Sequence, residues 1–160
     1  MKLVDCVVKK KGFHVADKLP EFDLEKYLPY RFTVVAARLS DDLAKKYKKR
    51  YGISIPEWRV LLNVGYTQNL SVRDIEKRVN LEKSKVSRTA AKLEAKGFLI
   101  KQIDGDDRRL VKFTLTPEGI RLLGELIPIA QAFQAEIKEK LGDQIGLVNQ
   151  TLDLLMKEDE

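Results

Sequence analysis

The sequence predicts a mainly α-helical chain with one short β-hairpin set between helices. Three observations predict it. Apolar residues recur at steps of three or four over most of the chain. The period switches to two after Gly97 and returns to the helical value after Thr116. Ser or Thr stands before several helix starts, two of them with Pro in the first turn, and Gly52, Gly97 and Gly142 follow helical stretches. A chain of 160 residues can bury a core without help from disulfides or metals. With 34% charged and 44% hydrophobic residues it falls in the globular class and not the disordered one.

Residues 1–20 show no sustained period and read as an N-terminal arm. From about Glu21 to Arg50 the pattern is helical, through Leu28, Phe32, Val35, Leu39, Leu43 and Tyr47. Pro29 restricts the residue before it, so the main helix should start there, and Gly52 suits the C-cap. Ser54-Ile-Pro-Glu57 is a capping box, predicting a helix to about Tyr66. Ser71-Val-Arg-Asp74 starts a short helix ending near Val79. A turn at Asn80 to Glu82 leads to a helix from Lys83 to Lys96, closed by Gly97. Its core stripe should be Val86, Ala90 and Leu93 with Ala91 nearby.

Phe98 to Ile103 and Leu110 to Leu115 alternate as strands, joined by the charged turn Asp104-Gly-Asp-Asp-Arg-Arg109. Thr116-Pro-Glu-Gly119 starts the next helix, whose stripe is Ile120, Leu123, Ile127, Ala130, Gln134, Ile137 and Leu141. Gly142 breaks it, and a last helix carries Ile145, Val148, Leu152 and Leu155 on one side. The order is helix, helix, turn, helix, hairpin: a winged helix-turn-helix. The expected division is an arm at 1–20, a helical region at 21–53 and 117–160, and the winged lobe at 54–116.

Net charge is +6, and twelve basic against seven acidic residues between Ser71 and Lys112 hold most of the excess. A basic surface there suits an acidic partner such as nucleic acid. On the fourth predicted helix Ser84, Lys85, Ser87, Arg88 and Lys92 fall mainly off the core stripe. Hydroxyls beside long cations suit base edges and phosphates in a major groove, against the plainer reading of a solvated face. Ser71 and Arg73 open the bracing helix, whose N-terminal amides can face phosphate. The tip, with Asp107, Arg108 and Arg109, can follow the backbone or enter a minor groove, whose negative potential attracts Arg. A second basic cluster, Lys45, Lys46, Lys48, Lys49 and Arg50, is as well explained by solvation as by phosphate contact.

No catalytic site, cofactor or metal is expected. There is no Gly-rich phosphate loop and no metal-spaced His set, and the only Cys and His are Cys6 and His14. Cys6 has only Lys9 to Lys11 to activate it, so redox sensing is not expected. One Cys, no signal-peptide pattern and no apolar run of membrane length lead to an expectation of a cytoplasmic chain. A winged-helix module that binds another protein instead of DNA is the alternative, but it does not need the basic tip or the Ser/Lys/Arg face.

The wing Asp107-Arg108-Arg109-Leu-Val-Lys-Phe-Thr-Leu115-Thr116-Pro-Glu-Gly119, with the recognition region Leu81 to Gly97, resembles the MarR family (multiple antibiotic resistance regulators). The resemblance runs from about Leu28 to the last helix. It implies a homodimeric DNA-binding regulator, commonly a repressor, interlocked through helices near 20–45 and 120–157, with Arg109 in the minor groove, oriented by Asp107. A two-fold dimer implies a pseudo-palindromic operator. It also implies a small-molecule effector. Leu28-Pro-Tyr-Arg31 and Pro56-Glu-Trp-Arg-Val-Leu61 look like a subgroup of aromatic-acid catabolism, whose effectors are aromatic acids or their CoA thioesters. Tyr30, Arg31, Arg38 and Trp58 are the candidate lining residues, since an aromatic ring with an Arg suits a carboxylated aromatic. Core packing is the competing role for Trp58, and a surface charge for each Arg.

Overall fold

The computed structural model describes residues 19–67, 70, 72–79, 81–103 and 111–157. The chain divides into two compact units, Met1–Ala36 and Ala37–Glu160. The elements are α1 (Leu28–Tyr51), α2 (Ile55–Tyr66), α3 (Val72–Val79), α4 (Lys83–Ala95), β1 (Leu99–Ile103), β2 (Val111–Leu115), α5 (Pro117–Leu141) and α6 (Ile145–Met156). A single 3-10 turn, Gly142–Gln144, joins the last two helices.

In the first unit a turn at Asp23 to Tyr27 precedes α1, and the Phe22 and Tyr27 rings meet edge-on at 5.2 Å. Leu19, Phe22, Leu28, Tyr30, Phe32 and Val35 are exposed there.

The second unit holds the core. Ala44 and Tyr47 of α1, Trp58, Val60, Leu61 and Val64 of α2, Ile75 of α3 and Val86, Ala90 and Leu93 of α4 are buried together. Leu99 and Phe113 of the hairpin and Leu122, Leu123 and Leu126 of α5 close it. The caps are where the residue types predict them. Gly52 follows α1 at φ +63° and Gly97 follows α4 at φ +76°, backbone that a side chain disfavours. Ser54 and Glu57 form the capping box of α2, with Pro56 in its first turn. The Thr116 hydroxyl accepts from the Gly119 amide at 2.9 Å and donates to the Gly97 carbonyl at 2.6 Å, tying the start of α5 to the end of α4.

β1 and β2 pair antiparallel, Leu99 opposite Leu115 and Lys101 opposite Phe113. Leu99, Phe113 and Leu115 turn inward, while Ile100 and Thr114 form the outer face. The Phe113 amide donates to the Leu70 carbonyl at 3.3 Å, so the strand is anchored just ahead of α3.

Two details differ from the periodicity. On α4, Thr89 is buried and Ala91 is exposed. Thr89 hides its hydroxyl by donating it to the Lys85 carbonyl at 2.7 Å, which lets a polar residue enter the core. On α5 the deeply buried residues are Gly119, Leu122, Leu123 and Leu126, and Ile120 is 60% exposed. Gly119 explains the rotation. A Cβ there would lie 2.2 Å from the Phe98 carbonyl oxygen, so only glycine lets α5 press this face against the end of α4. α5 continues through Pro128, which needs no amide partner, and the carbonyl four residues back belongs to Gly124. α6 buries none of its residues.

Candidate nucleic-acid interface

α4 presents the predicted surface. Ser84, Lys85, Ser87, Arg88 and Lys92 are all exposed, opposite Val86, Thr89, Ala90 and Leu93. Its first turn is unusual for an isolated helix. Glu82 stands at the N-cap without a side-chain hydrogen bond, and no acidic residue follows in the first turn. Lys83 and Lys85 occupy it instead, so cations sit where the helix dipole disfavours them. Open amides among cations form a surface complementary to phosphate. Arg88 is steadied by a hydrogen bond from Nε to the Ser84 carbonyl at 3.2 Å.

α3 lies alongside with Arg73 exposed. Arg73, Glu76, Lys77, Leu81 and Glu82 line a shallow groove of about 500 Å³ between α3 and the turn into α4. Ser71, Asp107, Arg108 and Arg109 lie outside the described residues, as do Cys6 and His14. β1 ends at Ile103 and β2 begins at Val111.

The second basic cluster is largely engaged by carboxylates. Lys45 reaches Asp42 at 2.7 Å, Lys46 reaches Glu136 at 2.7 Å, and Arg50 reaches Glu125 at 3.7 Å. These pairs are solvent-exposed and contribute little to stability, but they leave less positive charge for phosphate. Among the candidate effector residues, Tyr30 and Arg31 belong to the first unit and are exposed. Arg38 and Trp58 belong to the second. Arg38 is exposed, and Trp58 is buried with its ring 5.7 Å from that of Tyr47.

Periodicity did not reveal one group beside this surface. Glu57 is buried, and its two carboxylate oxygens divide their partners. Oε1 accepts from Lys96 Nζ at 2.6 Å, and Oε2 accepts from the Ser54 amide at 2.8 Å and hydroxyl at 2.6 Å. Lys96 also donates to the Gly52 carbonyl at 3.1 Å. Burial pushes the Glu57 carboxyl up. The hydrogen bonds from Lys96 and Ser54, with the Lys96 charge, outweigh that and leave it below its ordinary range. The capping box marks Glu57 in the sequence, but Lys96 is 39 residues away and no local rule pairs them.

Among the described residues no group of three or more His, Cys, Asp or Glu is placed to hold a metal, and no helix is long and apolar enough to cross a membrane. Residues 51–110 match the sequence profile of the MarR family. A curated relative, the uncharacterized HTH-type transcriptional regulator YhjH of Bacillus subtilis, is 34% identical over 56% of this chain; the match spans about half (53%) of that relative's length. The structure of a MarR/EmrR family transcriptional regulator from Acinetobacter sp. ADP1 is 26% identical, covering 84% of this chain and 93% of its own, with a TM-score of 0.67. Bordetella bronchiseptica BpsR, described by the regulation of its DNA binding by 6-hydroxynicotinic acid, shares the fold at a TM-score of 0.73 and 18% identity. That match covers 87% of this chain and all of BpsR (100%). These relatives are transcriptional regulators and not enzymes. Residues 51–110 are thus similar to the MarR family, and the fold is shared with MarR-family regulators.

Proposed function

We propose that the chain is a sequence-specific DNA-binding regulator, a repressor acting in the cytoplasm as a homodimer on a pseudo-palindromic operator. One observation carries this reading: the exposed Ser84, Lys85, Ser87, Arg88 and Lys92 face beside an uncapped, cation-bearing first turn of α4. Ser71 and Arg73 brace against phosphate, Asp107, Arg108 and Arg109 form the wing contact, and residues 54–116 are the DNA-reading lobe. The regions 21–53 and 117–160 supply the dimer. Leu147, Leu154, Leu155 and Met156 support that assignment, because α6 leaves them in solvent. The effector is an aromatic acid or its CoA thioester, with Tyr30, Arg31, Arg38 and Trp58 as candidate contacts. The control of BpsR by 6-hydroxynicotinic acid, an aromatic acid, supports that class.

Two titrations test the proposal. Duplex DNA should be bound with affinity that falls steeply with salt, and Arg109→Ala should weaken binding by about 1–3 kcal/mol. A flat salt response would favour the protein-interaction reading. Aromatic acids and their CoA thioesters should release the DNA, and the effector assignment fails if none shifts the curve.

A further inference from the structure

α4 is fastened unevenly. Its N-terminal end, which bears Ser84, Lys85, Ser87 and Arg88, has no side-chain cap. Its C-terminal end is held from two sides. Lys96 reaches the α1–α2 junction through the Gly52 carbonyl and the buried Glu57 carboxylate. The Gly97 and Phe98 carbonyls are taken by the Thr116 hydroxyl at 2.6 Å and amide at 3.1 Å. Between these ends Val86, Ala90 and Leu93 pack on the core. Apolar packing is non-directional and permits rocking, whereas a charge-assisted hydrogen bond at 2.6 Å fixes a direction.

Geometry makes that end a lever. From Ser84 to Lys96 a helix spans roughly 18 Å, so a tilt of about 3° at one end moves the other by about 1 Å. A shift of that size breaks a bidentate base contact. Glu57 is well placed to prevent it. Its side chain is 6% exposed, Ser54 occupies its second oxygen, and it is anchored in the first turn of α2. Lys96 is 39% exposed, with its ammonium turned toward Glu57 and Gly52.

We propose that Glu57 and Lys96 are positioning residues for α4: their ion pair holds its C-terminal end on the α1–α2 junction and sets how the helix enters DNA, with neither side chain touching DNA. This rests on the DNA-binding reading above. The pair also gives α1, through Gly52, a direct hold on the recognition helix.

The test uses the full chain, the duplexes that it enriches from a random-sequence pool, and an unselected mixed-sequence duplex. Glu57→Gln is the decisive variant, because it makes the protein more positive. Charge alone then predicts tighter DNA binding, whereas loss of positioning predicts weaker binding to the selected duplex only. The expected result is a loss of about tenfold there, the worth of one well-placed base contact, with no loss on the unselected duplex. Lys96→Met should do the same and leave the salt slope unchanged, since no phosphate contact is removed. Thermal unfolding of both variants checks that they are folded at the assay temperature. Unchanged or tighter binding of Glu57→Gln to the selected duplex overturns the proposal. So does a salt slope smaller by about one in Lys96→Met, which would make Lys96 a phosphate contact. If the unsubstituted chain enriches no duplex, the DNA-binding reading itself fails, and the proposal with it.

Discussion

The winged lobe and α6 follow the same apolar periodicity but bury different amounts of it. In the lobe, Val60, Leu61, Ile75, Val86, Ala90 and Leu93 are wholly buried, each covered by residues of its own chain. In α6 no residue of the stripe Ile145, Val148, Leu152 and Leu155 is fully buried, the first two being half-buried, and Met156 is 78% exposed. Periodicity shows that a helix has an apolar side. What covers that side depends on geometry, and here α1, the hairpin and α5 help to cover the α2–α4 group while the apolar residues of α6 stay largely exposed. The exposed apolar residues of α6 are thus open to a partner, in keeping with the proposed dimer.

The sharpest way to break that comparison is one substitution on each side. Leu93→Ala should cost about 2–5 kcal/mol, independent of protein concentration, in chemical denaturation. Leu155→Asp should leave the denaturation of the lobe nearly unchanged and raise the dimer dissociation constant about tenfold or more in sedimentation, since it places a charge where apolar contact is proposed. If Leu155→Asp destabilised the chain as much as Leu93→Ala at every concentration, α6 would belong to the chain's own core.

Two glycines refine the same contrast at the seam between lobe and α5. Gly119→Ala should cost about 1–3 kcal/mol, because the new Cβ meets a backbone carbonyl that cannot step aside. Gly65→Ala should cost less. Its Cβ would meet the terminal methyl of Leu123 at 2.5 Å, the far end of a flexible side chain, and Ala gains up to about 1 kcal/mol of helix propensity. Equal losses measured by thermal unfolding would mean that α5 does not rest on the Phe98 carbonyl.

How much of this was legible in the residues follows from the range of each interaction. The caps at Ser54, Gly52, Gly97 and Thr116 act within four residues, and each was predictable from side-chain type. The exposed face of α4 was legible because its core stripe lies on the opposite side. The rotation of α5 was not, since Ile120 and Leu122 are equally apolar and only the Gly119 approach to Phe98 chooses between them. The Glu57–Lys96 pair was invisible for the same reason: its partners meet only after α2 and α4 pack.

That pair has a pH signature. The Glu57 carboxyl is held below its ordinary range, so its ionised form stabilises the folded chain above the ordinary carboxylate pKa. The contribution is lost as pH falls through the lowered folded value. Glu57→Gln should thus be less stable than the unsubstituted chain by about 1 kcal/mol at neutral pH. The gap should stay constant above the ordinary carboxylate range and close as pH falls through the lowered folded value. A gap independent of pH down to acid unfolding would remove the charge from the explanation.

The smallest effect is expected at Tyr47 of α1, a buried member of the core. Its hydroxyl is buried and has no hydrogen-bond partner among the described residues. Tyr47→Phe keeps the ring against Trp58 and removes the unsatisfied group, so it should be neutral or stabilising by up to about 1 kcal/mol. The alkaline limb supplies an independent readout. Burial pushes the phenol up to about 12, against the pull of Arg59 and with the repulsion of Glu57. The unfolded chain ionises this group near its ordinary value of about 10 while the folded chain keeps it protonated, so stability falls as pH rises through that interval. Tyr47→Phe should flatten this part of the alkaline fall. A loss of 1 kcal/mol or more at neutral pH, measured by denaturation (roughly the worth of a satisfied hydrogen bond), would mean that the hydroxyl has a partner. The core around α1 and α2 would then be as complete there as it is at Leu93.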